Sequence, residues 1–304
     1  MEMKKPRIPF LGSQYASSPS GFDAAIFAAP HGTPYRGIDN RAHTESADAF
    51  RQAIAADDEF AQSWDFDFGA PLLGRNGFRV TDLGDLPTTS NDSAGNRTLI
   101  ADCTRSILDS GAVPLMIGGD DSVPIPFIEA FAGRGPLTIL QIDAHIDWRD
   151  ERHGERLGFS STMRRASEMD HVERIVQVGG RGIGSAREAE VRDAERWGAK
   201  LITAREIHDH GLGTALDHIT AESRCLITLD LDALDAVVMP AVAYPTPGGL
   251  TYTQVTGLIH GVADKARIAG FDMIEFVPGR DANGLAAFTA ARILWNVIGA
   301  LANR

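Results

Sequence analysis

The feature that most constrains the fold is the regular alternation of short apolar runs with longer helical patterns along the chain. Eight runs have the length and the aliphatic content of buried strands: residues 24–28, 78–82, 113–117, 137–142, 174–178, 200–203, 225–231 and 270–276. Helical patterns lie between them, among them 46–56, 98–112, 185–199 and 251–269, the last with Thr251 as its N-cap. This alternation predicts an α/β fold with a mainly parallel, roughly eight-stranded sheet that helices cover on both faces.

No shift in composition divides the 304 residues, so we expect one domain over residues 1–304, with residues 1–20 as an N-terminal extension. The N-terminus lacks the apolar segment of a signal peptide, and no later run reaches the roughly 18 apolar residues of a membrane span. Cys103 and Cys225 stand among apolar residues, which indicates buried free thiols rather than a disulfide framework. We therefore expect a reducing, cytoplasmic location and no membrane partner.

The charge of the chain limits the partners that it can bind. Its formal net charge is −12. Binding to a phosphate backbone requires clustered Lys and Arg, so we expect no nucleic-acid partner. A small cationic ligand suits this charge better.

Acidic and imidazole side chains stand at the ends of three predicted strands. They are Asp120 and Asp121 in "GGDDS", Asp143, His145 and Asp147 in "DAHID", and Asp230, Asp232 and Asp235 in "TLDLDALD". In a strand, residues two apart share a face, and ligands of parallel sheets bind beyond the carboxyl ends of the strands. If the three strands are neighbours, these side chains converge on one place.

Such a cluster of carboxylates requires a countercharge, because buried like charges resist ionisation. Two divalent cations about 3.5 Å apart would supply it, and such pairs activate a water molecule as a nucleophile. Ligation mainly by oxygen, without thiolate, favours Mn²⁺ over Zn²⁺. Taken singly, each motif has a simpler interpretation: "DLD" as a loop or cap, and "GGDD" as a turn that leads into a helix near Ser122.

The ordered set of motifs resembles the ureohydrolases, the family of arginase, agmatinase and guanidinobutyrase. The matching segments are "HGTPYRG", "GGDDS", "DAHID", "LDLDALD" with the following "MPAVAYPTPGGLT", and "EFVPGRD", in the family's order over residues 31–281. The resemblance implies a three-layer α/β/α fold and a dinuclear metal centre, with Mn²⁺ as the expected metal and Ni²⁺ as a second choice. It also implies a homo-oligomer, a trimer or a hexamer.

The resemblance assigns roles to individual residues by position. Asp143 and Asp230 would bridge both metals, Asp147 would complete one site, and His145 with Asp232 would complete the other. Asp147 would also orient the metal-bridging hydroxide that attacks the substrate. Glu275 falls where the family holds the substrate guanidinium, and a carboxylate suits the paired N–H donors of that planar cation. A simpler alternative is that Glu275 pairs with Arg280 or Arg292.

The first departure from the family pattern is at Asp121, where the family usually has a histidine that binds metal. Aspartate can also ligate, so we include Asp121 among the predicted metal ligands. Its added negative charge should make the metal a weaker Lewis acid. The alternative is that Asp121 only caps the helix that begins near Ser122, which would contribute about 1 kcal/mol.

Two further departures bear on catalysis and specificity. Phe159 and Ser160 stand where many relatives have a histidine that is credited with proton transfer. Another group or water must then supply the proton for the leaving amine, or the rate must fall, and His153 and His31 are the candidate groups. A surface histidine without this role is the simpler interpretation of either. Val242 and Tyr244 make the loop after the third motif bulkier than in the family, which argues against arginine as the substrate.

These features predict an amidinohydrolase that is agmatinase-like and cleaves a linear guanidino compound to urea and an amine. Agmatine, a guanidino acid, an alkylguanidine and a biguanide all remain open as substrates. The alternative from another class is a catalytically weakened family member that acts as a structural or regulatory subunit in a hetero-oligomer with an active paralogue. Hydrolysis of a formimino group, with release of formamide, is a third possibility.

Overall fold

A nine-stranded parallel sheet forms the centre of the computed structural model, which describes residues 2–74, 76–184 and 186–304. The strands of this sheet follow the order β1-β5-β2-β6-β11-β10-β7-β8-β9. Their bounds are Ser13–Tyr15 (β1), Ala24–Ala29 (β2), Val80–Asp85 (β5), Val113–Gly118 (β6), Leu137–Ile142 (β7), Val172–Gly180 (β8), Lys200–Thr203 (β9), Arg224–Asp230 (β10) and Arg267–Ile274 (β11). Trp64–Asp65 (β3) and Ala70–Pro71 (β4) form a small separate antiparallel pair.

Helices cover both faces of the sheet. Their bounds are Ser46–Ala53 (α1), Ser93–Asp109 (α2), Pro124–Glu129 (α3), Thr162–Ala166 (α4), Glu188–Trp197 (α5), Ala204–His210 (α6), Gly213–Leu216 (α7), Tyr252–Lys265 (α8) and Leu285–Ala302 (α9). The predicted N-cap of α8 is confirmed, since the side chain of Thr251 accepts a hydrogen bond from the N–H of Gln254. Such caps satisfy N–H groups that have no partner within the helix.

Alternation along the strands divides the apolar side chains between two cores, one on each face. On β7, Leu140 and Ile142 lie in the core beneath α1 and α6 to α9, whereas Leu137 and Ile139 lie in the core beneath α2 to α5. The whole of β7 is buried, as expected for a strand in the interior of a parallel sheet. The predicted three-layer α/β/α fold is therefore confirmed.

Each of the eight predicted strands overlaps a strand of the sheet. The ninth, β1, was not predicted, because its three residues are polar and only partly buried. It lies at the edge of the sheet and pairs with β5. The run at 270–276 was placed too late, since β11 ends at Ile274, before Glu275 adopts a left-handed backbone with φ of 68°.

The composition of the last helix, α9, contradicts the expectation that no run of the chain is as apolar as a membrane span. Its 18 residues have a mean hydropathy of 1.6, which satisfies the length and composition of such a span. However, 72% of the helix is buried inside the fold, and it packs against α8 and α1. Burial inside a protein core explains this composition equally well, since a helix that is apolar all round is either buried or in a membrane.

A buried ion network joins α1 to the end of β5. The guanidinium of Arg51 donates to both oxygens of Asp82 at 2.8 and 2.9 Å and to Asp85 at 2.7 Å. The side chain of Arg51 is 1% exposed and that of Asp82 is fully buried. Asp82 also accepts from the N–H groups of Phe10 and Gly84, so the network fixes the N-terminal segment to the sheet.

We expect Arg51→Met to lower the free energy of unfolding by about 3–5 kcal/mol, because it leaves the buried charge of Asp82 without its partner. Denaturant unfolding measures this loss. The control is Arg105→Met, which removes an exposed ion pair with Asp102 and should cost less than about 1 kcal/mol. Equal losses in the two variants would contradict a stabilising role of the buried network.

Candidate metal centre

The predicted metal ligands lie at the carboxyl ends of β6, β10 and β7, and Glu275 follows β11, which lies between β6 and β10 in the sheet. The side chains form two groups of three, and the ligand atoms within each group lie within 4.8 Å of one another. The first group is Asp121, Asp143 and Asp147, and the second is Asp143, His145 and Asp232. Asp143 belongs to both groups. This is the arrangement expected of two ion sites that share one bridging carboxylate.

The residues after β7 are arranged by hydrogen bonds within the turn. The N–H of Asp143 continues the sheet by donating to Val178, and the N–H of His145 donates to Oδ1 of Asp143 at 2.6 Å. Nδ1 of His145 lies 3.4 Å from that oxygen and 3.2 Å from Oδ2 of Asp232. Asp147 has a left-handed backbone with φ of 41°, a strained conformation for a residue other than glycine.

The residues after β10 form a short 3₁₀ turn, Leu231–Ala233. Oδ1 of Asp230 accepts the N–H of Asp232 at 2.7 Å, and Oδ1 of Asp232 accepts the N–H of Ala144 at 3.2 Å. Asp230 belongs to neither ligand group, but it lies close enough to Asp232 and Asp143 for burial and their charges to raise its pKa. Its role as a bridging ligand stays a prediction.

Asp235, the last acidic residue of this motif, stabilises a loop instead. Its Oδ2 accepts from the N–H groups of Gly248 and Gly249 at 2.6 and 3.0 Å, and its Oδ1 accepts from Val237 at 3.0 Å. These bonds hold the segment that follows the 3₁₀ turn against the start of α8.

Asp121 lies in the cluster and does not cap a helix. The helix after it begins at Pro124, with Val123 as an N-cap that makes no side-chain bond. Both carboxylate oxygens of Asp121 are buried and have no hydrogen-bond partner among the described residues. The alternative that Asp121 is only a cap is therefore wrong.

Glu275 follows β11 and reaches the same place. Its Oε1 accepts the N–H of Asp121 at 2.8 Å, and its Oε2 lies 3.6 Å from Nε2 of His43. The alternative pairing with Arg280 or Arg292 is wrong. Arg280 donates to the carbonyls of Val242 and Ala243, and Arg292 lies near Asp65 and Asp67.

The electrostatics of the cluster favour a bound cation. Burial, together with the charges of Asp147 and Asp143, raises the pKa of Asp121, and burial with the charge of Asp143 raises that of Asp147. Burial lowers the pKa of His145, but hydrogen bonds to Asp143 and Asp232 outweigh it and raise that pKa to about 12. A bound divalent cation would lower these raised pKa values, since it stabilises ionised carboxylates and is ligated by a neutral imidazole.

The donor set fits a pair of hard divalent ions. Carboxylate oxygens and one imidazole suit Mn²⁺ or a similar ion, and none of the residues in the two ligand groups is a cysteine. The unpartnered oxygens of Asp121 are the observation that carries this conclusion, because a buried carboxylate without any partner is costly.

A pair of glutamines that sequence reasoning missed holds two of the carboxylates. Nε2 of Gln141 donates to Asp143 at 2.7 Å and to Asp147 at 2.8 Å. Gln177 on β8 donates to Oε1 of Gln141 and to the carbonyl of Ile146. Gln141 precedes Asp143 by two positions, so period-two alternation places both on one face and was the available signal.

The predicted proton donors occupy different environments. His153 is exposed and lies on a turn with φ of 54°, so its role in proton transfer stays a prediction. His31 is buried, and its ring contacts Thr88 at 3.0 Å and Thr44 at 3.4 Å. Burial lowers its pKa, and the charge of Asp120 opposes that shift.

Phe159 and Ser160 lie against Tyr35, another residue that sequence reasoning missed. The rings of Phe159 and Tyr35 pack edge to face with centroids 4.7 Å apart, and the hydroxyls of Tyr35 and Ser160 are 2.6 Å apart. Thr162 in the same segment donates to the carbonyl of Asp121. The segment without the family's histidine therefore packs beside the cluster.

The two residues of the bulky loop differ in exposure. Tyr244 is exposed, and its effect on substrate choice stays a prediction. Val242 has no exposed surface and bridges to Phe276, so it presents no surface to an entering ligand. The prediction that Val242 makes the substrate side of this loop bulkier is wrong, because its side chain belongs to the core.

We expect Asp121→Ala to lose one of about two divalent ions per chain, because it removes a ligand from one group only. Elemental analysis after loading with Mn²⁺ and gel filtration measures the loss. The control is Asp102→Ala, which removes an exposed carboxylate on α2. Full metal content in Asp121→Ala would remove Asp121 from the ligand set.

Comparison with known proteins agrees with this geometry. A family model described as "Arginase family" matches residues 22–299. The chain is 32% identical over 217 residues to N(1)-aminopropylagmatine ureohydrolase of Thermus thermophilus. This match covers 70% of this chain and 71% of that protein. The chain is also 28% identical over 291 residues to the mitochondrial guanidino acid hydrolase of Homo sapiens. That match covers 94% of this chain and 80% of the human protein.

A solved structure has the same fold over nearly the whole chain. Proclavaminate amidino hydrolase from Streptomyces clavuligerus superposes with a TM-score of 0.82 at 25% identity, and the match covers 97% of each chain. The family match spans all four strand ends that carry the candidate metal centre. The chain therefore belongs to the arginase family.

Proposed function

We propose that the protein hydrolyses a C–N bond of a linear guanidino compound and releases urea and an amine. The observation that carries this proposal is the position of Glu275, whose carboxylate lies beside Asp121 at the edge of the candidate metal centre. Burial raises the pKa of Glu275 to about 7. A permanent cation such as guanidinium would favour its ionised form and match it with paired N–H donors.

The residues that would hold two ions are Asp121, Asp143, Asp147, His145 and Asp232, with Asp230 as a sixth ligand; Mn²⁺ is the proposed ion and Ni²⁺ an alternative. Two such ions, when bound, would lower the pKa of a water molecule between them and would stabilise the negative charge that develops on the oxygen attacking the guanidinium carbon. Asp147, held at Oδ2 by Gln141, orients the attacking water.

Glu275 binds the guanidinium and so places its carbon next to that water. A C–O bond forms between the guanidinium carbon and the water oxygen, and the C–N bond to the alkyl amine breaks. The water loses two protons in all and the departing nitrogen gains two, with solvent or His153 as the proposed donor to that nitrogen. Water plus guanidinium thus gives urea and an alkylammonium ion.

The relatives support the class of substrate and not one compound. Their names include a guanidino acid hydrolase, an N(1)-aminopropylagmatine ureohydrolase and a proclavaminate amidinohydrolase, at 27–32% identity. We therefore propose agmatine, guanidino acids, alkylguanidines and biguanides as the compounds to test. An oligomer of identical chains, a trimer or a hexamer, belongs to the same proposal.

Two substitutions favour a second candidate function, that of a weakened subunit beside an active paralogue. Asp121 adds a negative charge to the cluster, and neither Phe159 nor Ser160 can transfer a proton as a histidine would. Both changes would lower the rate. Such a subunit would show little turnover alone and would gain it in a complex with the paralogue.

Urea release tests the proposed function. Protein reconstituted with Mn²⁺ or with Ni²⁺ is incubated with each class of guanidino compound, and urea and amine are measured together. We expect equal amounts of the two products with at least one compound. Formamide in place of urea would indicate a formimino substrate, and no product from any compound would favour the weakened subunit.

For the best substrate, we expect Glu275→Gln to lose about 2–3 kcal/mol of transition-state binding in kcat/KM, because a charge-assisted bond to the cation is removed. Its metal content should stay unchanged. The matched control is Glu129→Gln, which removes an exposed carboxylate on α3. Unchanged kcat/KM in Glu275→Gln would place recognition of the cation elsewhere.

A further inference from the structure

His43 is a buried histidine that none of the metal-binding motifs includes, yet it contacts Glu275. It ends the short 3₁₀ helix Arg41–His43, which precedes α1. Its Nε2 lies 3.6 Å from Oε2 of Glu275, and its side chain is 6% exposed. Burial raises the pKa of Glu275, and a positive charge on the adjacent His43 ring would oppose that shift.

The orientation of the His43 ring is fixed from its other side. Nδ1 lies 2.8 Å from the carbonyl oxygen of Phe276. A carbonyl only accepts, so Nδ1 carries a hydrogen and Nε2 is the atom that faces Glu275. That contact is attractive when either Nε2 or the carboxyl group of Glu275 carries a proton. The hydroxyl of Ser46 lies 3.0 Å from the same carbonyl and 2.7 Å from that of His43, which joins the 3₁₀ helix to the end of β11.

The carboxylate of Glu275 is thereby held between two partners. Oε1 accepts the N–H of Asp121, and Oε2 faces His43. The backbone of Glu275 is left-handed, with φ of 68°, and such strain persists only where the surroundings hold it. Its own N–H donates to Gly119 at 2.9 Å, and the next carbonyl, that of Phe276, accepts from His43.

We infer that His43 is a positioning residue that holds the Glu275 carboxylate in the orientation required to bind the guanidinium group. This inference rests on the proposed function and deepens it. A free glutamate side chain loses rotamer freedom when it binds a cation, and contacts that already restrict it reduce that loss. His43 should therefore affect substrate binding more than turnover.

Two variants separate the two contacts of the ring. In His43→Asn, the side-chain amide can keep the bond to the Phe276 carbonyl but does not reach Glu275. His43→Gln places an amide nearer the position of Nε2. The control is His260→Asn, since His260 is partly buried between α8 and α9, where it contacts Asn296, and is not part of the site.

With the best guanidino substrate, we expect His43→Asn to raise KM about tenfold, as for a lost contact to a charged group, while kcat changes by less than about threefold. His43→Gln should recover part of this loss. Metal content and circular dichroism should match those of the parent protein, and His260→Asn should keep the parent KM.

A double variant tests whether His43 acts through Glu275. If it does, His43→Asn should add less than about twofold to the loss already caused by Glu275→Gln, because contacting residues are not additive. Full additivity, or a KM for His43→Asn within twofold of the parent, would overturn the inference. Failure of the inference leaves the proposed function intact. The proposed function itself is overturned if the parent protein releases no urea from any guanidino compound, and the inference is then overturned as well.

Discussion

The structure depends on the convergence of buried negative charge at the carboxyl ends of four adjacent parallel strands. β6, β11, β10 and β7 lie side by side, so residues far apart in the chain form two groups, and the ligand atoms within each group lie within 4.8 Å of one another. Without a countercharge these groups would take up protons, as the raised pKa values of Asp121 and Asp147 indicate. The sheet supplies rigidity, and the cost of desolvating the carboxylates makes a high affinity for cations the natural outcome.

A layer of uncharged amides and one arginine organises the cluster from outside. Gln141 and Gln177 hold Asp143 and Asp147 without adding charge. Arg181 donates to the carbonyls of Asp232, Leu234 and Thr246, and its guanidinium thereby joins the 3₁₀ turn to the loop before α8. Outer contacts of this kind orient metal ligands, and they explain how a strained residue such as Asp147 is held in place.

The sequence predicts the strands and the residues at their ends, because both depend on local pattern. A run such as 137–142 is apolar throughout, and Asp143, His145 and Asp147 follow it at fixed spacing. His43 and Tyr35 could not be predicted in the same way. His43 contacts a carbonyl 233 positions away, and Tyr35 contacts Ser160 at a separation of 125. Neither residue stands in an apolar run that ends in acidic residues, so only the folded chain shows where they lie.

The backbone conformation is shared by one residue of the cluster and by Glu275. Asp147 and Glu275 are two of the four residues other than glycine with a left-handed backbone in the part of the chain that the structure describes. At Asp147 this conformation keeps the carboxylate near Asp121 and Asp143, and at Glu275 it directs the carboxylate toward Asp121 and His43. The same backbone conformation therefore occurs at one of the acidic ligands and at the acceptor proposed for the guanidinium, and the hydrogen bonds around each residue hold it in place.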